Sequence, residues 1–175
     1  TVGARLSSYM VTDFKNNKFP ENHIKIKLRG SAGQSLGAFG AKGVKFEVIG
    51  DCNDYVGKGL SGATISVRPP KSSNLETNKN TIIGNTVLYG ATSGNLFASG
   101  QAGERFSVRN SGATAVVEGA GTNACEYMTG GCSVILGELG DNFAAGMTGG
   151  MAFVYNPEDN LSDVINSASV VWQRI

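Results

Sequence analysis

The stretch NSGATAVVEGAGTNACEYMTGGCSVI, Asn110 to Ile135, admits two readings. Its Gly119-Ala120-Gly121-Thr122-Asn123-Ala124 spells the G-x-G-x-x-A of a dinucleotide site. Its Gly112 and Gly131 each head a short apolar-alternating run and stand 19 residues apart, which is the mark of a repeat. The repeat wins because it continues in both directions. Gly43, Gly62, Gly94, Gly112, Gly131 and Gly150 head the runs of AKGVKF, SGATIS, SGNLFA, SGATAV, GGCSVI and GGMAFV, at spacings of 19, 32, 18, 19 and 19. The one long interval contains RPPKSSNLETNKNT, a polar stretch led by two prolines that adds about thirteen residues, as an insertion at one corner of an array does.

Aligned columns set an expected register. Three residues beyond each anchor stand Phe46, Ile65, Phe97, Ala115, Val134 and Phe153, all apolar, which reads as a core column. Phe153→Asp is accordingly expected to unfold the chain. One and five residues beyond the anchors most side chains are again apolar, the period of a strand with one buried face. Eight and nine residues before each anchor stand polar or turn-forming residues, from Gln34-Ser35 to Asp141-Asn142. A unit of about 19 residues with strands and turns but no helix-length amphipathic segment stacks as a single-stranded parallel β-helix. The expected fold is therefore all-β: six to seven coils, right-handed because a spacing of 19 departs from the eighteen of a left-handed hexapeptide coil, with short capping segments at both ends. Residues 1–29 read as a lead-in and first strand, 30–155 as the repeat body with an inserted loop at 69–81, and 156–175 as a cap or the start of a tail. In that cap, Leu161, Val164, Ile165, Ala168, Val171, Trp172 and Ile175 fit helical spacing, while Val170 and Trp172 alternate as in a strand.

Composition narrows the function. Twenty-five glycines in 175 residues are about 14%, twice the usual share, and a net charge of +1 with scattered basic residues leaves no footprint for nucleic acid or an anionic membrane. No apolar run approaches the ~20 residues of a membrane span, and no signal-like start is visible, which points to the cytoplasm. Cys52, Cys125 and Cys132 form no C-x-x-C unit, and His23 is the single histidine, so the cysteines read as buried small hydrophobes in a reducing compartment.

The tempting motifs fail on their own chemistry. A dinucleotide fingerprint needs a helix after its glycines, and Cys125 to Gly131 is too glycine-bound to supply one. GDCNDYVGKGLSG, Gly50 to Gly62, has six residues between Gly50 and Gly57 where a Walker loop has four, and Lys58 is followed by Gly59. Asp51, Asp54, Glu104, Glu118, Glu126, Glu138 and Asp141 could line a β-helix face as acid and base, but most fall at corners, where Asp commonly bonds its own backbone. Thr1 as an N-terminal nucleophile is set aside because the chain start reads as a cut within a longer protein. No catalytic, cofactor-binding or metal-binding residue is expected in this span.

GSAGQSLGAFGAKGVKFEVIGDCNDYVGKGLSGATISVRPP, GNTVLYGATSGNLFASGQAGERFSVRNSGATAVVEGAGTNACEYMTGG and GELGDNFAAGMTGGMAFVY closely resemble the C-terminal glycine-repeat (GXGXG) domain of the glutamate synthase large (alpha) subunit. Gly30-Ser31-Ala32-Gly33-Gln34-Ser35-Leu36-Gly37 carries the G-x-x-G-x-x-x-G pattern, and the likeness runs from about Val2 to Tyr155. The resemblance implies a right-handed β-helix with no catalytic residue of its own, set between an amidotransferase module and an FMN synthase module, in cis or as separate subunits. It implies a parent oxidoreductase of nitrogen metabolism that assimilates ammonia: glutamine yields the ammonia, 2-oxoglutarate becomes glutamate, and FMN and a 3Fe–4S cluster lie outside this span. A subunit of formylmethanofuran dehydrogenase has a similar repeat, so a scaffold in another redox complex is the alternative, and a carbohydrate-active β-helix a more distant one.

Overall fold

The computed structural model describes residues 1–13 and 19–175. Helix α1, Ala4–Asp13, opens the chain. Nine strands follow among the described residues: β1 Ile24–Arg29, β2 Val44–Ile49, β3 Ser61–Arg68, β4 Thr81–Ile83, β5 Ser93–Ala98, β6 Gln101–Ala102, β7 Ser111–Val117, β8 Thr129–Ile135 and β9 Gly149–Val154. Helix α2, Leu161–Val164, is a single turn. Seven strands form one parallel sheet in the order β1-β2-β3-β5-β7-β8-β9, one strand per coil of a β-solenoid. A minor ladder runs up another side of the coil, where β4 pairs with β6, Ala102 bridges Ala120, and Ala120 bridges Leu139.

The strands form where the sequence alternates, and the inward set makes the bore: Val44, Phe46 and Val48 on β2, Ala63, Ile65 and Val67 on β3, Ala113, Ala115 and Val117 on β7. Each large side chain fully buried there contributes roughly 1.5–3 kcal/mol. The central inward column is Phe46, Ile65, Leu96, Ala115, Ser133, Ala152. Phe46, Ile65 and Ala115 thus stand inside, whereas Phe97, Val134 and Phe153 do not. Those three pair along a second column, Phe97 to Val116 to Val134 to Phe153, on the outer face of the sheet. The cause is a set of irregularities at the strand starts. Ser61 faces Ser93, but Thr64 faces Asn95, so three residues of β3 match two of β5. The same slip recurs between β7 and β8, where Ser111 faces Gly130 and Thr114 faces Cys132. One residue of slip moves every side chain to the opposite face.

All six anchor glycines stand at the start of stacked strands. Five are left-handed, with φ of +95° at Gly43, +110° at Gly62, +109° at Gly94, +82° at Gly131 and +86° at Gly150. Gly112 is not; there the bend is held by Asn110, whose Oδ1 accepts from Gly112 N–H (3.2 Å) and Ala113 N–H (2.9 Å).

A second source of cohesion is a stacked turn that the spacing alone did not reveal. In six coils alternate residues of one turn are left-handed: Ser35, Gly37 and Phe39; Tyr55, Gly57 and Gly59; Thr86, Leu88 and Gly90; Arg105, Ser107 and Arg109; Asn123, Cys125 and Tyr127; Asn142, Ala144 and Gly146. Their amides point along the stack and alternate in direction. Tyr55 N–H donates to Asn85 C=O in the next coil (2.9 Å), and Gly57 N–H donates back to Leu36 C=O (2.9 Å). Thr86 to Glu104 (2.8 Å) with Leu88 to Val56 (2.8 Å), and Arg105 to Thr122 (2.8 Å) with Ser107 to Val87 (2.9 Å), repeat the device. Each non-glycine residue held this way costs roughly 1–2 kcal/mol, which the ladder must offset. Thr86, β-branched at φ +58°, is the most strained of them. Thr86→Gly is expected to stabilise the fold by about 1 kcal/mol, a rise of about 2–4 °C in Tm for a chain of this size; a fall in Tm by scanning calorimetry would contradict the strain.

The ends are closed differently. Helix α1 covers the amino-terminal mouth, with Met10 buried and the Ser7 Oγ accepting from Ala41 N–H at 3.1 Å. Beyond β9 the chain is irregular apart from α2, so neither a full helix nor a strand spans 161–175; Leu161, Ile165 and Val170 pack against the carboxyl end of the bore. Residues of the 69–81 stretch form a short 3-10 turn at Thr77–Lys79 and then enter β4 at Thr81. Lengthening a 19-residue interval to 32 costs only about 0.5 kcal/mol in loop-closure entropy.

Candidate interaction surface

The outer face of the main sheet divides sharply along the stack. Over β1, β2 and β3 the nine outward positions include Lys25, Lys27, Arg29, Lys45, Glu47 and Arg68. Lys27 and Glu47 approach to 3.9 Å across neighbouring coils. Over β5, β7, β8 and β9 and the residue after each, the outward positions are Asn95, Phe97, Ser99, Thr114, Val116, Glu118, Cys132, Val134, Leu136, Met151, Phe153 and Tyr155. One of those twelve is charged. Phe97 is 45% exposed, Met151 58% and Phe153 36%, so the apolar column lies open to solvent. A face of this kind on an otherwise polar body marks a contact surface.

Glu118 is the exception on that face and an informative one. Its Oε2 is out of contact with water and has no hydrogen-bond partner among the described residues. Glu126 Oε2 is likewise buried without a well-formed hydrogen bond, but the Arg105 guanidinium stands 3.0 Å from it as an ion pair. Asp54 is spent on the stack, its Oδ1 accepting from Asn85 N–H at 2.8 Å. Asn85 in turn takes Glu104 N–H at 2.8 Å. The acidic residues weighed as an acid/base pair are thus distributed over successive coils, with Asp54 serving as a corner acceptor and Glu126 paired with Arg105.

A second exposed surface follows the turns. Lys58 Nζ lies 5.8 Å from the Tyr55 ring centre and 5.9 Å from that of Tyr89, and the Arg109 guanidinium lies 5.8 Å from Tyr127. Phe39, Tyr55 and Tyr127 are exposed there. Aromatic and cationic side chains of this kind are enriched at protein contacts.

The remaining sequence candidates fall into structural roles. Gly119 to Ala124 runs through the Ala102–Ala120–Leu139 bridge corner into the turn at Thr122 to Tyr127, with no helix. Gly57, the middle of the failed Walker spelling, is left-handed at φ +64°, and a Cβ there would stand 2.8 Å from Leu88 Cδ2. His23 stacks on Phe19, ring centres 5.1 Å apart. Burial pushes the Cys52 thiol up to about 12, with the Asp51 carboxylate adding to it. Burial likewise raises Cys125 to about 12, opposed by a hydrogen bond with Ser133 and reinforced by Cys132. These neutral thiols favour the folded chain in full below pH ~9 and lose that contribution as pH climbs toward 12. Among the described residues no cluster of three or more His, Cys, Asp or Glu could hold a metal ion, and no helix is long and apolar enough to cross a membrane.

Comparison with known proteins gives the context for these surfaces. The family model described as GXGXG motif matches residues 1–175. The chain is 69% identical over 174 residues to the Glutamate synthase [NADPH] large chain of Azospirillum brasilense, covering 99% of this chain and 12% of that protein. It is 53% identical over 175 residues to the Ferredoxin-dependent glutamate synthase of Pyropia yezoensis, covering 100% of this chain and 11% of the other. It is 54% identical over 170 residues to the Glutamate synthase [NADH] of Schizosaccharomyces pombe, covering 97% and 8%. The chain therefore spans about a tenth of the length of these curated relatives.

Proposed function

The chain belongs to the GXGXG motif family, and on that premise we propose that it is the β-helical scaffold domain of a glutamate synthase large chain. The observation that carries this reading is the match of nearly the whole chain to one segment of such large chains, at 69% identity in the bacterial one. On this reading a glutaminase module releases ammonia, an FMN module forms glutamate reductively from 2-oxoglutarate, and the present domain holds the two apart at a fixed distance in the cytoplasm. The FMN and the 3Fe–4S cluster belong to the other modules.

The geometry supports a spacer. The parallel sheet and the turn ladder both run along the stack, so bending it breaks hydrogen bonds on more than one side of each coil. The sheet face and the turn ridge offer separate surfaces, one apolar and one aromatic and basic, for two neighbours. The experiment is purification of the native gene product without truncation. A mass near that of the relatives, flavin absorbance, and glutamate formation from glutamine and 2-oxoglutarate with a reductant are expected, while residues 1–175 alone give no turnover. A molybdenum or tungsten protein co-purifying in place of the flavin module would overturn the reading.

A further inference from the structure

We infer that the apolar outer face of the last four coils is the seat of another domain of the same polypeptide, one that presents a flat apolar surface and a lysine or arginine directed at Glu118. The inference rests on the scaffold reading above and adds which face is used and what chemistry meets it.

Three observations converge on that occupant. The first is the contrast along the sheet: six of nine outward positions are charged on the first three coils, and one of twelve on the last four. Charged side chains on an outer strand ward off unwanted pairing, and β1 carries them in Lys25, Lys27 and Arg29. At the other margin β9 carries none, and no backbone hydrogen bond from residues 156–175 reaches it among the described residues. Left bare, that margin would invite association.

The second is Glu118. It continues the outward column that holds Leu136 and Tyr155, because Leu136 N–H donates to Val117 C=O and Tyr155 N–H to Ile135 C=O one rung apart. A carboxylate oxygen shut off from water without a hydrogen bond is costly in isolation. Glu118 as a whole is half-buried, so an incoming cation can approach the carboxylate and offset that cost through its charge, and the choice of a cation over an anion follows from the charge of Glu118 itself. The third is length. Relatives carry this span as 8–12% of their chains, so roughly nine-tenths of such a polypeptide is available to supply the opposing surface in cis. A tethered partner needs only the modest contact typical between domains.

The test uses the full-length native gene product. Met151, exposed in this chain, should be oxidised by hydrogen peroxide at least tenfold more slowly in the native product than after denaturation, as read by peptide mass mapping. Phe153→Asp in the same product should return the Met151 rate to within about threefold of the denatured value. It should also lower glutamine-dependent, but not ammonia-dependent, glutamate formation by tenfold or more. Glu118→Lys should do the same, whereas Lys27→Glu on the charged half should leave both readouts at wild type. A native product that makes glutamate from glutamine yet oxidises Met151 at the denatured rate overturns the docking face while leaving the scaffold reading intact. A native product with neither activity nor flavin overturns the scaffold reading; slow Met151 oxidation in that product would still support a covered face, with a different covering domain.

Discussion

Ile65→Asp is expected to leave no folded protein at 25 °C, whereas Phe153→Asp should keep the melting temperature of the 175-residue chain within about 5 °C. Both positions looked equivalent as third residues after an anchor glycine, and the register separates them. Ile65 is fully buried, paired with Phe46 on one side and Leu96 on the other. A Cβ at Gly37 would stand 2.7 Å from its Cδ1, a measure of how closely the turn presses on it. An aspartate there loses roughly 1.5–3 kcal/mol of apolar burial and shuts an unpaired carboxyl in the bore at several kcal/mol more. That sum exceeds about 5 kcal/mol, against a total stability of about 5–15 kcal/mol. Phe153 faces outward, so its replacement forfeits only partial contacts, about 1.5 kcal/mol or less. Circular dichroism melts of the two variants check the contrast, and the reverse order of stability would show that the slip between β7 and β8 is misassigned.

The second large effect is expected at Asn110, which is fully buried. Its Nδ2 donates to Ala113 C=O at 2.9 Å while its Oδ1 takes the amides of Gly112 and Ala113. The corresponding position is Gly40 in the first of these turns and apolar in the others. Leu60, Ala91 and Met128 each donate their N–H to the residue three before, as Asn110 does to Ser107. Leucine therefore suits the site in shape, and Asn110→Leu isolates the polar contribution. Removing this side-chain partner from the buried Ala113 carbonyl and amide and from the part-buried Gly112 amide should cost about 2–4 kcal/mol, read as a drop in the urea midpoint at unchanged slope. A loss below about 0.5 kcal/mol would mean that the bend at Gly112 holds itself.

These two cases mark what was legible in the sequence. Spacing of the anchors gave the coil length, the parallel stacking and the corner glycines, because a corner needs a left-handed residue once per coil. Phase was lost at β5, β8 and β9, where the third residue after the anchor faces outward. In GNLFAS each phase of the alternation holds one large apolar residue, Phe97 outward and Leu96 inward, so periodicity could not choose between them. The outward phase is apolar over the last four coils for the same reason that it misleads: a surface built for contact is composed like a core. The alternating left-handed turn was hidden as well, since thirteen of its eighteen positions are occupied by residues other than glycine and carry no compositional signal. Helix α1 was missed because SSYMVTD carries few apolar residues, and Leu6 and Met10, four apart, are enough to cap the mouth.

The central column of the bore shrinks from Phe46 through Ile65 and Leu96 to Ala115, Ser133 and Ala152. Near its end the filling turns polar, with Ser133 Oγ donating to Ser107 Oγ at 2.9 Å. Cohesion is thus graded, and fraying should begin at the carboxyl end, with amide exchange fastest in β9 and slowest in β2 and β3. The coils that open most readily are the ones whose outer surface is apolar. Whatever settles on that surface would tighten them, so that assembly and local ordering of the solenoid proceed as one thermodynamic event.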